Sequence, residues 1–446
     1  MQQYKYIDLD KMEERLKELE LELRDIQLSS PNYIPSSKNA YLRIYDIGRE
    51  IYDITRGENA VVLNHAGQAQ VAYICRNVKN RGRASHWSDF LDNVTEYNSG
   101  WEKVLPCFIR NNRIDEYFAI NKYQATRLND SVNNLVGHYA VSPAHSGGGF
   151  NASYDGSIAE HDKLNALTPP TVMPDFMNDF VVDQHLVTWD EWSYVFLLLK
   201  EYGFEPVGNA NGGYDINGGY GQPANYVYNY TNLNRPQTLN GTGPRTWRHN
   251  GKMTGIADIC GNCRDILAGT SVNSGYFEFI DFRTTSGSLT ASQLNSSSNL
   301  WKRIKSTDGT FIAPADVTGD VKVYCVDFAT TPTANSGTAH LISDKITHRD
   351  AGFYGYVKAE NVTVKEGLRK DPKLEMLGVI PFKTSPLLGA QYMRNADGSR
   401  FIRNVGGYWD DGGYARSGYV SGAYTFGGSD VTVGVRSASR PKTLMC

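Results

Sequence analysis

The sequence predicts an α+β protein made of an N-terminal helix, a small region of mixed type and a larger C-terminal domain. Three observations support this class. Residues 8–28 have a helical apolar repeat, many later segments alternate between apolar and polar residues as strands do, and a second helix start occurs at Thr188. A chain of 446 residues is long enough for two or three domains. We therefore divide it into residues 1–30, 31–113 and 114–446.

The composition argues against several classes of protein. The 45 basic and 48 acidic residues give a formal net charge of -3, which does not suit a protein that binds nucleic acid through its charge. No apolar run reaches the ~18 residues of a membrane-spanning helix. No apolar stretch follows the polar start Met1–Tyr4, so no secretory signal is expected. The Cys260-x-x-Cys263 pair lacks a second pair, so we interpret the cysteines as small buried apolar residues.

The first helix carries the apolar repeat of a coiled coil. One seam position holds Leu9, Leu16 and Leu23, and the other holds Met12, Leu19 and Ile26. Leucine throughout the first seam favours a trimer or higher oligomer over a dimer, and Arg15 and Glu20 could pair between parallel chains. The sequence therefore predicts an oligomerisation helix. The alternative is an amphipathic helix that packs against its own domain.

The region 31–113 contains no recognisable chemical motif, and its expected role is to link or anchor. Ser29–Pro31 ends the first helix. Tyr41–Ile51 and Ala60–Ile74 alternate enough to be predicted as strands, and Ser85–Asn93 is predicted as a helix that Ser85 caps.

The C-terminal region begins with a predicted strand over Glu116–Thr126. A strong amphipathic helix starts at Thr188, where Glu191 three residues later completes a capping box, and the helix ends near Gly203. A long Gly- and Asn-rich loop is predicted over Gly208–Gly243.

Possible metal ligands in this region form no convincing site. Asn209–Gly213 and Asp215–Gly218 offer oxygen atoms to calcium, but they lack the regular acidic spacing of a calcium loop, and Gly/Asn turns explain them as well. The histidines are dispersed, and His249 is interpreted as a structural histidine.

The segment 396–440 has the composition of an antibody paratope. Between Ala396 and Arg440 it contains no Lys, Glu, Gln, Met, Leu, Cys, His or Pro, and Tyr, Ser, Gly, Asp, Ala, Thr and Val together fill most of it. Asparagine codons whose two adenines are randomised always end in a pyrimidine. Such codons cannot encode Lys, Glu, Gln, Met or Trp and never give a stop, so the segment has the composition that such randomisation would produce.

This tail resembles the variable region of proteins that are diversified by diversity-generating retroelements. Their Gly-Gly-x-Trp-x-x-Gly-x-x-Ala core leads after a loop to Gly-Phe-Arg. The matching residues are Gly406, Gly407, Trp409, Gly412, Ala415, Gly434 and Arg436, while Val435 replaces the phenylalanine.

Residues 114–446 also resemble the formylglycine-generating-enzyme-like branch of the C-type lectin fold. The Thr188 helix is followed by Asn/Gly-rich loops and by a motif in which five residues match. They are Gly255, Ile256, Asp258, Gly261 and Asn262, whereas Cys263, Arg264 and Asp265 replace Val, Trp and Glu. Residues 270–365 fit the family less well and are interpreted as an insertion with its own β-structure.

The same resemblance gives no support to catalysis. Enzymes of this fold use a cysteine pair with copper or a His-rich iron site. Here the cysteine pair near the end of the domain is missing, since residues 326–445 contain no cysteine, and the nine histidines are scattered. We therefore expect no enzyme and no cofactor.

The resemblance implies that the ligand-binding positions are those that the randomised codon can reach and that lie outside the framework. They are Tyr408, Asp410, Asp411, Gly413, Tyr414, Ser417, Tyr419, Ser421, Ala423, Tyr424 and Asp430. Trp409 cannot arise from such a codon and is expected in the core, with Arg436 as a buried hydrogen-bond organiser. For each tyrosine, the alternative is an inward-facing strand residue.

The predicted function is that of a phage receptor-binding protein, made in the bacterial cytoplasm and displayed on the virion at the tail or another appendage. Its N-terminal region would contact other virion proteins, and its tail would bind a bacterial surface protein or glycan. Two alternatives stay open. One is a structural virion or cell-surface module of the same fold without diversification, and the other is a metalloenzyme related to formylglycine-generating enzyme.

Overall fold

The computed structural model describes residues 8–77, 105–129, 132–144, 153–230, 233–285, 289–334, 338–376, 378–380 and 388–446. The helices are α1 (Leu9–Leu28), α2 (Lys38–Ile54), α3 (Tyr154–Asn165), α4 (Trp189–Tyr202), α5 (Ala291–Leu294) and α6 (Pro372–Met376). The first strands are β1 (Asn59–Leu63), β2 (Ala69–Arg76), β3 (Ile109–Arg110), β4 (Arg113–Ile114), β5 (Tyr117–Asn121), β6 (Thr126–Asn129), β7 (Val132–Asn134), β8 (Gln184–Leu186), β9 (Pro223–Tyr230) and β10 (Leu233–Thr238). The later strands are β11 (Arg264–Asn273), β12 (Tyr276–Ile280), β13 (Trp301–Ile304), β14 (Phe311–Ile312), β15 (Cys325–Phe328), β16 (His340–Ser343), β17 (Gly355–Lys358), β18 (Thr363–Val364), β19 (Ala390–Met393), β20 (Arg400–Val405), β21 (Val420–Thr425), β22 (Val433–Gly434) and β23 (Ser437–Ser439).

These elements form an α+β protein in which a five-stranded antiparallel sheet has the order β1-β2-β5-β23-β8. The stretch predicted as strand over Ala60–Ile74 forms the hairpin of β1 and β2, and the predicted strand over Glu116–Thr126 contains β5. Because β2 pairs with β5, the sheet crosses the expected boundary after residue 113. Its fourth strand comes from the C-terminal end of the chain.

The prediction of a strand over Tyr41–Ile51 is wrong, because these residues lie within helix α2. Tyr41, Ile44, Ile47 and Ile51 follow a helical spacing and are buried on one face. The Ser37 hydroxyl caps the helix by accepting a hydrogen bond from the Ala40 amide at 3.2 Å.

The heptad seam of α1 packs inside the chain rather than against a second copy. Leu16, Leu19 and Leu23 are 0–1% exposed and belong to one apolar cluster with residues of α2, β1 and β2. Arg15, expected to pair with Glu20 of another chain, instead donates hydrogen bonds to Glu50 of α2. The packing of the seam therefore fits the alternative, in which α1 is an amphipathic helix that packs against its own domain rather than an oligomerisation helix.

A second, mixed sheet of 12 strands contains the tail. Its main order is β17-β19-β21-β20-β11-β12-β15-β16-β18, with β13 joined to β12, β14 to β13 and β22 to β11. Strands between residues 270 and 365 thus continue the sheet that holds β20 and β21. The expectation that they form β-structure of their own is corrected, because Ser271–Asn273 of β11 pair with β20 and β17 pairs with β19.

The predicted helix at Thr188 is confirmed as α4. The Glu191 carboxylate accepts a hydrogen bond from the Thr188 amide at 3.1 Å, and Gly203 follows the helix at a φ of +59°. The predicted loop Gly208–Gly243 is partly wrong, because it contains the hairpin of β9 and β10. The predicted helix Ser85–Asn93 lies outside the described residues. None of the described helices is both long and apolar enough to cross a lipid bilayer.

Candidate functional site

Arg436 fixes the tail to both sheets from a fully buried position. Its Nε donates to Asp265 Oδ2 on β11 at 3.0 Å. Its Nη1 donates to the carbonyls of Asn121 and Lys122 at the end of β5, each at 3.1 Å, and its Nη2 donates to the Ala257 carbonyl at 2.9 Å. A planar guanidinium with several donors suits such a junction. The expectation of a buried hydrogen-bond organiser is confirmed.

The Gly-Gly-x-Trp core turns the chain sharply after β20. Gly406 and Gly407 both have positive φ, of 88° and 78°, and a Cβ on Gly407 would lie 2.7 Å from Ala415. Trp409 is 1% exposed, as expected of a framework residue. The Gly261 amide donates to the Gly406 carbonyl at 2.7 Å, so the internal Gly-Asn motif touches the tail directly.

Arg264 on β11 is a buried residue that contacts three of the predicted binding tyrosines. Its Nε donates to Tyr419 Oη at 2.9 Å, and its Nη1 donates to Tyr424 Oη and Thr432 Oγ1, each at 2.7 Å. Its guanidinium lies 4.2 Å from the centre of the Tyr408 ring. Three predicted tyrosines therefore converge on a residue that the sequence analysis noted only as a departure from the family motif.

Asp411 completes this arrangement with a carboxylate that is largely buried, since its side chain is 9% exposed. Its Oδ2 accepts a hydrogen bond from the Tyr408 amide at 3.0 Å and lies 3.9 Å from Arg264 Nη2. Burial raises the pKa of Asp411 to about 6, although the Arg264 charge and the Tyr408 amide lower it in part. Burial also raises the pKa of Tyr419, which keeps its phenol protonated. Asp411 is thus placed to change charge in mildly acidic solution.

A group of tyrosines surrounds this centre, and we call it the tyrosine surface. Its members are at least partly exposed, and they are Tyr354, Tyr356, Tyr392, Tyr408, Tyr414 and Tyr424. Tyr356 and Tyr392 lie opposite each other in β17 and β19, with ring centres 5.3 Å apart. The Tyr414 ring lies 5.7 Å from that of Tyr356 and is 43% exposed, and the Tyr354 ring lies 5.2 Å from that of Tyr392.

The structure divides the predicted binding residues into two groups. The exposed or partly exposed ones are Tyr408, Asp410, Asp411, Gly413, Tyr414, Ala423, Tyr424 and Asp430. Ser417, Tyr419 and Ser421 are buried, at 1–3% exposure, so they are not part of the accessible surface. Ser417 instead donates its hydroxyl and its amide to the Glu205 carboxylate. Tyr419 therefore faces inward, which is the alternative given above for each tail tyrosine.

Sequence reasoning missed Tyr354, Tyr356 and Tyr392 because they lie outside the tail. A signal was present, since Tyr354 and Tyr356 alternate just before and within β17, and Tyr392 lies in β19.

The loop that was considered for calcium lies beside the tail and presents two more tyrosines. Tyr214 and Tyr220 are 48% and 50% exposed, with ring centres 5.0 Å apart. The Gly412 amide donates to the Ala210 carbonyl at 2.7 Å. Asp215 accepts hydrogen bonds from the Asn217 and Gly219 amides and from Trp247 Nε1, so its oxygens stabilise the turn itself.

Other candidate chemical groups are part of the packed interior. Within the described ranges, no group of three or more His, Cys, Asp or Glu side chains is arranged to hold a metal ion. Cys260 and Cys263 are buried thiols whose pKa is raised by burial. The His249 Nδ1 accepts a hydrogen bond from the Ile256 amide at 2.8 Å, which fits the structural interpretation.

In comparisons with known proteins, no family model matches the chain, and no curated protein matches it significantly.

Proposed function

We propose that the chain is a receptor-binding protein of a bacteriophage virion, whose C-terminal part is a C-type-lectin-like domain with a retroelement-diversified tail over residues 396–440. The observation that carries this proposal is the tyrosine surface, in which Tyr408, Tyr414 and Tyr424 of the tail lie with tyrosines of β17 and β19. Tyrosine offers a large contact area at low cost in side-chain entropy and a hydroxyl for hydrogen bonds. Binding would be non-covalent, with a protein or glycan of the bacterial surface as the ligand.

The way in which the tail is held also supports this role. Its framework residues Trp409 and Arg436 are buried, whereas Tyr414 and Gly413 are exposed on the loop between β20 and β21. A fixed scaffold with replaceable loop residues can change its ligand without losing its fold.

A second candidate is the same module with a constant tail. It is favoured by one specific observation, the burial of Ser417, Tyr419 and Ser421. Random replacement of buried residues would disturb packing in many variants.

The proposal is tested by phage that carry Tyr356→Ala together with Tyr414→Ala. Both rings are on the tyrosine surface and neither is fully buried, so the fold is expected to persist while host adsorption falls by tenfold or more, about 1.4 kcal/mol of binding. The measurement is the fraction of free phage that remains after mixing with host cells.

The matched control is Phe176→Ala, which removes an aromatic ring that is 45% exposed and packs against Tyr45 of α2. This variant should adsorb like the wild type. Wild-type adsorption of the double variant, with an unchanged melting temperature of the purified protein, would refute the proposed binding surface.

A further inference from the structure

Lys122, Asn59 and Glu20 meet in the interior, away from the tyrosine surface. Lys122 follows β5, Asn59 begins β1, and Glu20 lies on α1; all three are at most 2% exposed. The Lys122 Nζ lies 2.5 Å from Glu20 Oε1 and 3.4 Å from Asn59 Oδ1. A buried amine therefore touches both a carboxylate and a carboxamide.

The surroundings make this amine easier to deprotonate than an ordinary lysine. The pKa of Lys122 is lowered to about 8, chiefly by burial; the nearby charge of Arg248 contributes to the lowering, and Glu20 opposes it. An ion pair that is removed from water is costly. Transfer of a proton from Lys122 to Glu20 would remove this cost, because it replaces two buried charges by two neutral groups. Tyr123 Oη donates to Glu20 Oε2 at 2.5 Å and holds that carboxylate in place.

The carboxamide of Asn59 is held in one orientation. Its Nδ2 donates to the carbonyls of Thr254 and Glu58 at 2.8 and 3.1 Å, so its Oδ1 faces Lys122. Its backbone is fixed by the pairing of Asn59 with Tyr73 in β1 and β2. Positioning of a nucleophile against an electrophile in a site that excludes water is the condition under which an unreactive amide can be attacked.

We propose that Lys122 and Asn59 become joined by an intramolecular isopeptide bond, with Glu20 as the acid and base. The Lys122 ammonium first gives a proton to the Glu20 carboxylate. The neutral Nζ then attacks Asn59 Cγ, the new C–N bond forms, and the bond from Cγ to Nδ2 breaks. The departing nitrogen already carries two hydrogens, receives one proton from Glu20 and leaves as ammonia. Glu20 takes one proton in return from the attacking nitrogen. No oxidant or cofactor takes part in this step.

The bond would link residues that are 63 positions apart in the chain. It would join the start of β1 to the end of β5, and so hold together the outer strands of the β1-β2-β5 part of the sheet. This inference does not depend on the proposed binding function.

The test is the intact mass of the purified full-length protein. We expect a mass lower than that of the sequence by one molecule of ammonia. Trypsin should then release residues 57–76 and 114–127 as one linked peptide, because the bonded Lys122 is no longer cleaved. A mass equal to that of the sequence, or separate peptides with cleavage after Lys122, would overturn the proposal.

A variant distinguishes this reaction from ammonia loss elsewhere, for example at Asn217-Gly218. Glu20→Gln keeps the size of the side chain but removes the acid and base, so its mass is expected to equal that of its own sequence. If this variant does not fold, the linked peptide in the wild type still decides the question. A wild-type loss of ammonia that maps only to an Asn-Gly pair also counts against the isopeptide bond.

Discussion

Arg264 takes the place of a tryptophan in the motif that residues 255–265 resemble. Its guanidinium forms contacts that an aromatic ring could not. It donates to two phenol oxygens and one threonine hydroxyl of the tail. These partners follow it by 155 to 168 residues, so no local pattern in the sequence connects them. The sequence therefore predicted which tyrosines belong to the tail, but it did not show which cation orders them or that Tyr419 faces inward.

The carboxylate of Asp411 makes the stability of this site depend on pH. Its pKa in the folded protein is about 6, above the ordinary aspartate value of 3.8, so the folded state binds the proton more tightly than the unfolded state. The stabilisation is therefore complete below pH 3.8 and is lost as the pH rises through about 6. Its upper limit is about 3 kcal/mol, since one pKa unit corresponds to 1.36 kcal/mol.

The expected result is that Asp411→Asn removes this component, because the amide keeps an acceptor for Tyr408 N–H without a titratable charge. The free energy of unfolding in urea, measured for both proteins between pH 4 and 7, provides the check. The wild type should lose stability relative to the variant across this window. A constant difference between the two proteins would show that Asp411 does not titrate there.

At the scale of elements, the sequence was most informative where a periodic pattern coincided with a local end signal. Thr188 with Glu191 and Gly203 marked both ends of α4. The stretch Ala60–Ile74 lacked such a signal in our interpretation and was predicted as one strand, although it forms the hairpin of β1 and β2. The prediction of a strand in place of α2 was wrong, because its apolar residues were interpreted as alternating. Ile44, Ile47 and Ile51 in fact follow helical spacing. For α1 the repeat correctly gave an apolar stripe, but a stripe does not say whether α2 or a second chain will cover it.

The docking of α1 predicts the effect of changing its seam. Leu19→Ala should destabilise the protein by about 2–5 kcal/mol, because it leaves a cavity in the cluster shared with α2. Leu28→Ala, at a position that is 48% exposed, is the control and should change stability little. Chemical denaturation measures both. If Leu19→Ala instead dissociates an oligomer without lowering the stability of the monomer, the seam is intermolecular and the packing described for α1 is incorrect.

At the scale of the whole molecule, both sheets combine distant segments of the chain. β23 of the tail lies between β5 and β8, and β20 and β21 lie between β19 and β11. Arg436 connects the two sheets through Asp265 and the carbonyls at the end of β5. Such long-range pairings leave no local periodicity, which is why the sequence suggested separate regions where the structure has shared sheets. The result is a tail that is anchored at both ends and has exposed positions, such as Gly413 and Tyr414, in the loop between β20 and β21.

The most direct test of a diversified binding tail is the DNA sequence around the end of the gene, compared among sister isolates. We predict a near-copy of the segment that encodes residues 396–440, beside a reverse transcriptase gene, with differences chiefly where the copy has adenine. The differences should fall at exposed positions such as Tyr408, Gly413 and Tyr414, while Trp409 and Arg436 stay constant. Absence of the copy, together with an invariant tail among isolates, would contradict diversification and leave a constant module of the same fold.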